Sequence, residues 1–321
     1  MSKLVSIIIP YHNETLNQLR RVLSSINNQT GIDFTQVEVI LIGDGAEAID
    51  GDALFEEFEN LDARYYGYED SLGAGVARQV GMDISSGDYY MFVDADDELQ
   101  NTQALWSFFN AVKAGDHQVI IARYVEEIRD ADGTYQYVTH PEHNWQTVAA
   151  KWFNRKYIAS LSLTWREDLQ FNEDTYFVGL ACAMATDISY LDQVVYIWLW
   201  HEDAIKRALA GQLDQWVEVN RYLLEKIRDQ RPEQLVPRAV AYFADIYLRA
   251  QRFPAADQDT FQREHARLVR EFASIWPNVS ALVGNQIDHL LATEPAYKGL
   301  TKASLMAFLV DQIKLLQVAA K

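Results

Sequence analysis

A chain of 321 residues, 49% of them hydrophobic, carries enough apolar material for one large domain or two ordinary ones with buried cores. A formal net charge of −18 repels phosphate backbones and anionic lipid over long range, so bulk nucleic-acid or membrane-surface binding is disfavoured. The single cysteine, Cys182, excludes an internal disulfide, and the lack of a signal peptide or of an apolar run of about 18 residues leads us to expect a cytoplasmic protein with no transmembrane segment.

Val5-Ser6-Ile7-Ile8-Ile9-Pro10 reads as a central parallel strand closed by proline. Beyond Tyr11-His12-Asn13-Glu14, Leu16, Leu19, Leu23 and Ile26 recur at helical spacing. Val37 to Ile42 forms a second strand, and the glycines of Gly43-Asp44-Gly45 permit a tight turn or a close approach to a ligand. Leu54, Phe55, Phe58 and Leu61 supply a helical face, Tyr65 to Tyr68 a short strand, and Leu72-Gly73-Ala74-Gly75 opens a helix that passes Arg78 and runs toward Ile84. Gly73-x-Gly75 is only a fragment of a phosphate loop; Arg78 beside it suits either an anionic ligand or an exposed helix face.

The fourth strand, Tyr89 to Val93, ends in Asp94-Ala95-Asp96-Asp97. Carboxylates this close repel one another and stay ionised most easily beside a hard cation or hydrogen-bond donors, which makes the stretch a metal-site candidate. The competing reading is a helix start, with Asp97 and Glu98 capping a helix over Leu99 to Val112. Alternating strands and helices specify an open α/β sheet that binds ligands beyond the carboxyl ends of its strands.

Gln118 to Glu127, Asp132-Gly133 and Thr134 to Thr139 form a hairpin, and Trp152 to Ile158 another extended segment. Asn172-Glu173-Asp174 places two acids before a small-residue helix reaching Ala185, a pattern that suits helix capping as well as chemistry. Ile188 to Trp200 is strand-like and leads to His201-Glu202-Asp203. From about Lys206 only helical spacing remains, interrupted at Pro232, Pro254 and Pro277 and ending in Thr301 to Val318. The expected organisation is an α/β domain over 1–205 and a helical region over 206–321 that serves packing, acceptor binding or self-association.

Six segments in order resemble family 2 glycosyltransferases: Val5 to Glu14, Leu23 to Thr30, Leu41 to Gly45, Gly75 to Gly81, Phe92 to Asp97 and Asn172 to Asp174. The resemblance implies the A-type fold, with a mainly parallel central sheet, and inverting transfer from a nucleoside-diphosphate sugar. Pro10, Tyr11 and Glu14 would line the nucleotide pocket, with Asp44 and Arg78 near the base and Asp94 facing ribose or sugar. Asp96 would bind Mn²⁺ or Mg²⁺, and His201 would be a second metal or diphosphate contact. Asp174 would be the general base, with Glu173 beside it orienting donor or acceptor. Gly43 stands where the family usually has an acid, which bears on whether the nucleoside is uridine. The layout resembles bacterial wall teichoic acid and surface-polysaccharide enzymes, implying a glycopolymer acceptor or its precursor, while the C-terminal helices by themselves suit a homo-oligomer. Protein, modified DNA bases in phage-type chemistry, or a non-catalytic sugar- or nucleotide-binding role are the alternatives.

Overall fold

The computed structural model describes residues 3–130, 132–169, 172–201, 213–252, 255, 257–294 and 297–317. The chain divides into two units, 1–200 and 201–321, each treated by itself below. The expected boundary at 205/206, and Glu202-Asp203, lie outside the described residues.

In the first unit β1 (Val5–Tyr11) pairs in parallel with β2 (Val37–Asp44) and β4 (Tyr89–Phe92), and β2 with β3 (Ala63–Tyr68). β1, β2 and β4 are buried along their whole length, mostly apolar but with Ser6 donating to the buried Glu38 at 2.6 Å, whereas the edge strand β3 leaves Tyr66 49% exposed. The sheet continues through β8 (Lys151–Asn154) and β6 (Val119–Arg129) to β9 (Ile188–Trp198) and β5 (Glu98–Leu99), with β7 (Tyr135–His140) paired to β6. β8 joins β4 and β6 antiparallel, while β6 and β9 run parallel. The order β3-β2-β1-β4 reverses direction at β1, so a crevice opens between the carboxyl ends of β1 and β4. That crevice is where Tyr11 to Glu14 and Asp94 to Asp97 leave the sheet.

Helix α1 (Leu16–Asn27) is started by a capping box, Thr15 with Gln18, and buries Leu19, Val22, Leu23 and Ile26 against the sheet core. Helix α3 (Ala74–Ile84) lies so close to β1 that a Cβ on Gly81 would collide with the Ile8 side chain. On the same side Phe92 meets Phe153, Trp165 and Phe177 with ring centroids 5.3 to 6.0 Å apart, an aromatic layer beneath the carboxylate turn.

Three expectations are corrected. The helix read over Leu99 to Val112 begins at Ala104 (α4, Ala104–Ala114), because Glu98 and Leu99 pair with Ile197 and Tyr196 of β9. Leu54 to Leu61 holds only the short α2 (Gly51–Phe55), with Phe58 buried in the turn that follows. Trp152 to Ile158 divides at Asn154, whose side chain accepts from Tyr157 N and starts α5 (Arg155–Ser160).

The second unit is helical: α7 (Leu213–Gln230), α8 (Leu235–Arg252), α9 (Gln258–Glu271), α10 (Trp276–Thr293) and α11 (Leu305–Gln317). A buried polar chain ties three of them together. His265 Nε2 donates to Gln312 Oε1 at 2.7 Å, which leaves Nδ1 to accept from the Tyr242 hydroxyl at 2.7 Å. Burial lowers the His265 pKa to about 4, so the ring is neutral and its two bonds are complementary. No helix among the described residues is long and apolar enough to cross a membrane.

Candidate active site

The site grows from the ends of β1, β2 and β4 and from the start of α6 (Glu173–Met184). Asp44, at the end of β2, is buried and uses both carboxylate oxygens on the loop before α3: Oδ1 accepts from Leu72 N at 2.6 Å, and Oδ2 from the Ser71 hydroxyl and Gly73 N, both at 2.9 Å. Its side chain therefore anchors the start of α3. One turn into that helix Arg78 is 4% exposed and bridges two acids far apart in sequence. Its Nη2 donates to Asp94 Oδ1 at 2.7 Å and its Nη1 to Glu173 Oε1 at 2.9 Å, with the guanidinium 5.0 Å from the ring centre of Trp165. Burial opposes the charge, but Asp94 and Glu173 outweigh it and raise the arginine pKa. Arg78 thus stands neither on an exposed face nor as a lone anion clamp.

Glu173 and Asp174 form the first turn of α6, entered through Asn172 in the left-handed conformation (φ 57°). Asn tolerates that region better than bulkier residues do. Gly75 lets the helices meet, since a Cβ there would approach Glu173 Cγ to 3.3 Å. Asp174 is half-buried, and its Oδ1 accepts from Thr175 N at 2.7 Å. Burial first, then the charge of Glu173, push its pKa up to about 7 against the pull of Arg78. A carboxyl at that value releases and takes a proton near neutrality, as a general base requires.

The carboxylate turn holds a second group. Asp97, 1% exposed, accepts from the Tyr196 hydroxyl at 2.6 Å and from Leu199 N at 2.8 Å, while Asp94 N donates to Tyr196 Oη at 3.2 Å. Asp97 is therefore a buried link to β9 and not a helix cap. Burial, then Asp96 and Asp94, push its pKa well upward. Asp96, Asp97 and His201, the residue directly after Trp200, each bring one ligand atom to within 4.8 Å of the others. Two carboxylates and an imidazole gathered in a region of like charge fit a divalent cation of the Mn²⁺ or Mg²⁺ kind.

On the β1 side, Tyr11, His12, Glu14, Arg20, Glu47 and Asp50 help to line a cleft of 770 Å³, and Pro10 precedes it within β1. Glu14 Oε2 accepts from His12 N at 2.7 Å, and His12 Nδ1 donates to Asp44 O at 2.6 Å. Gly43 has a steric reason: a Cβ would stand 2.9 Å from the Tyr65 hydroxyl and 3.2 Å from the Tyr11 ring. The two tyrosines, hydroxyl to hydroxyl at 3.3 Å, fill the space an acid would need.

Sequence reasoning left out Asp97 as a ligand, Tyr196, Trp165 and Lys151. Asp97 carried a signal, being the third acid of the turn. Lys151, fully buried, donates to Ala149 O at 3.0 Å, and burial lowers its pKa to about 8 while Cys182 and Asp174 draw it back up. Nothing local in the chain distinguishes it from a surface lysine.

A largely parallel sheet with a carboxylate turn at the switch point of its strand order is the setting in which open α/β folds bind ligands. The family model described as Glycosyl transferase family 2 matches residues 6–181, and the chain belongs to that family. It is 24% identical over 220-odd residues to the glycosyltransferase GlyA of Streptococcus pneumoniae, covering 63% of this chain and 31% of that protein. It is 33% identical over 129 residues to the poly(ribitol-phosphate) β-N-acetylglucosaminyltransferase TarP of Staphylococcus aureus, covering 38% of this chain and 37% of TarP. The matches therefore span less than two thirds of these relatives. Among solved structures, S. aureus TarS 1–349 in complex with UDP-GlcNAc superposes with a TM-score of 0.70 at 16% identity, covering 98% of this chain and 90% of that one. The likeness confirms the A-type α/β fold with added C-terminal helices.

Proposed function

We propose that the enzyme transfers a hexose or N-acetylhexosamine from a UDP-sugar to a hydroxyl of a bacterial surface glycopolymer or its precursor, with inversion. The single observation that carries this reading is the half-buried Asp174 carboxyl, pushed up to about 7 and set beside the Arg78 bridge between Glu173 and Asp94. In this reading Asp174 takes the acceptor proton as the hydroxyl attacks, and Glu173, fixed by Arg78, orients the reacting sugars. Asp94 faces the ribose or sugar, and Tyr11 and Glu14 line the nucleoside side of the cleft. Asp44 acts on the nucleotide through the loop it anchors. Asp96, Asp97 and His201 would hold Mn²⁺ or Mg²⁺, which supplies positive charge for the departing diphosphate. Support for uridine and for the polymer comes from the UDP-GlcNAc complex of TarS and from the named activity of TarP.

A thermal-shift series with UDP, GDP, UDP-GlcNAc, UDP-Glc and GDP-mannose, each with Mn²⁺ or with EDTA, tests the donor. At a hundredfold excess over its Kd, the correct ligand stabilises the fold by about 2.7 kcal/mol. A selective, metal-dependent shift with a uridine compound is expected; equal shifts with GDP compounds, or none, would refute the donor assignment.

Self-association through the helical unit is part of the same proposal. Helix α11 buries Gln312 yet exposes Met306 (70%), Val310 (47%) and Ile313 (43%) along one stripe, the pattern of a helix whose apolar face lacks cover. Sedimentation of the full chain is expected to show an oligomer that a Met306→Lys, Val310→Lys, Ile313→Lys variant converts to monomer. A monomeric wild-type chain would end that proposal.

A further inference from the structure

The β6–β7 hairpin carries an aromatic surface that the reaction described above does not use. Register pairs Tyr137 with Glu127 and Tyr135 with Arg129, and residues two apart on a strand share a face. One face of the hairpin is packed: Tyr124 stacks on His140 at 4.5 Å between centroids, and His140 meets Glu126 at 2.7 Å. The other face points outward, leaving Tyr135 47% and Tyr137 62% exposed.

These exposed rings are held in place. The Tyr137 hydroxyl donates to Glu127 Oε2 at 2.7 Å, and Glu127 Oε1 accepts from Trp200 N at 3.4 Å. The Arg129 guanidinium lies 5.7 Å from the Tyr135 ring centre and 5.0 Å from that of Trp200, and those two rings meet edge to face. The residue before Trp200 donates its backbone N–H to Asp97 Oδ1. One short segment, Leu199-Trp200, therefore joins this surface to the carboxylate turn.

We propose that the outer face of the β6–β7 hairpin, made by Tyr135, Tyr137, Arg129 and Trp200, is the platform on which the acceptor sugar chain lies as it enters the site. The inference rests on the glycopolymer reading of the acceptor. A sugar ring offers an apolar C–H face rimmed by hydroxyls, and it is matched by aromatic faces with charged hydrogen-bonding groups at their edges. Rings already fixed by Glu127 and Arg129 lose little freedom on binding. A protein partner would call for a core depleted of charge, whereas here a guanidinium and a carboxylate stand among the rings.

The test uses the full chain and two probes, chitohexaose and a synthetic hexamer of ribitol phosphate, titrated by tryptophan fluorescence. At least one is expected to bind, and the phosphate-bearing hexamer binding tighter than the neutral one would place an anionic group at Arg129. Tyr135→Thr and Tyr137→Thr, which keep a β-branched residue in the strand, are each expected to weaken binding about fivefold. Tyr137→Phe, which keeps the ring, is expected to retain it. In the wild-type chain saturating probe should slow nitration of Tyr135 and Tyr137, a readout independent of any variant. UDP-induced thermal shifts should be equal in wild type and variants, so a missing donor response marks failure of the proposed function and not of the platform. The platform is overturned if neither probe binds, if the threonine variants bind like wild type, or if those variants instead change the mass of the protein in solution.

Discussion

Asp174→Asn is expected to lower sugar transfer by about 10²- to 10⁴-fold while leaving UDP-sugar binding nearly intact. The amide keeps the shape and the contact with Thr175 N but cannot accept the acceptor proton. Because burial and Glu173 push the carboxyl up to about 7, the wild-type kcat should rise with pH through neutrality and then level off as the base ionises. The residual activity of the variant should lack that limb.

Stability supplies an independent check with a definite sign. The folded pKa of Asp174 lies above its unfolded value of about 4, so the folded state binds the proton more tightly. Its stabilising contribution is full below about pH 4 and is lost as pH rises through about 7. The asparagine never ionises, so its Tm should gain on the wild type across that window and hold a constant lead of a few degrees above it. Wild-type turnover by the variant would remove Asp174 from the reaction. A Tm difference that does not vary with pH would show that the carboxyl titrates normally.

Arg78→Met is expected to cost about 3 kcal/mol of folding stability and most of the activity. Removing the guanidinium leaves Glu173, 15% exposed, and Asp94, 36% exposed, facing each other without their shared cation. We place the cost at the low end for a buried network because Asp94 keeps some solvent. Arg78→Lys should recover only part of the loss, since one ammonium on an unforked stem does not reproduce a planar two-armed bridge. Adding Asp94→Asn and Glu173→Gln to Arg78→Met should restore much of the stability while transfer stays low. Urea midpoints at constant slope report these differences. A single methionine variant as stable as wild type would mean that the bridge contributes nothing to the fold.

What could be read from the residues alone was whatever depends on near neighbours in the chain. The apolar run from Val5 to Ile9, the helical spacing from Leu16 to Ile26 and the acids that end β4 declare strand, helix and charged turn through periodicities of two and 3.6. The acids of Asn172-Glu173-Asp174 and of the turn after β4 were visible as candidates, though each also resembled a helix cap. Tertiary structure decided between those readings. Asp97 leaves the helix-start role because Glu98 and Leu99 pair with β9, almost a hundred residues away. Arg78 becomes a bridge because two acids sixteen and 95 positions distant arrive at its two amino groups. Gly43 is small because the rings of Tyr11 and Tyr65 converge on it. Burial and charge pairing are sums over contacts between distant segments, so a carboxyl such as Asp174 acquires its proton affinity only when the chain has closed around it.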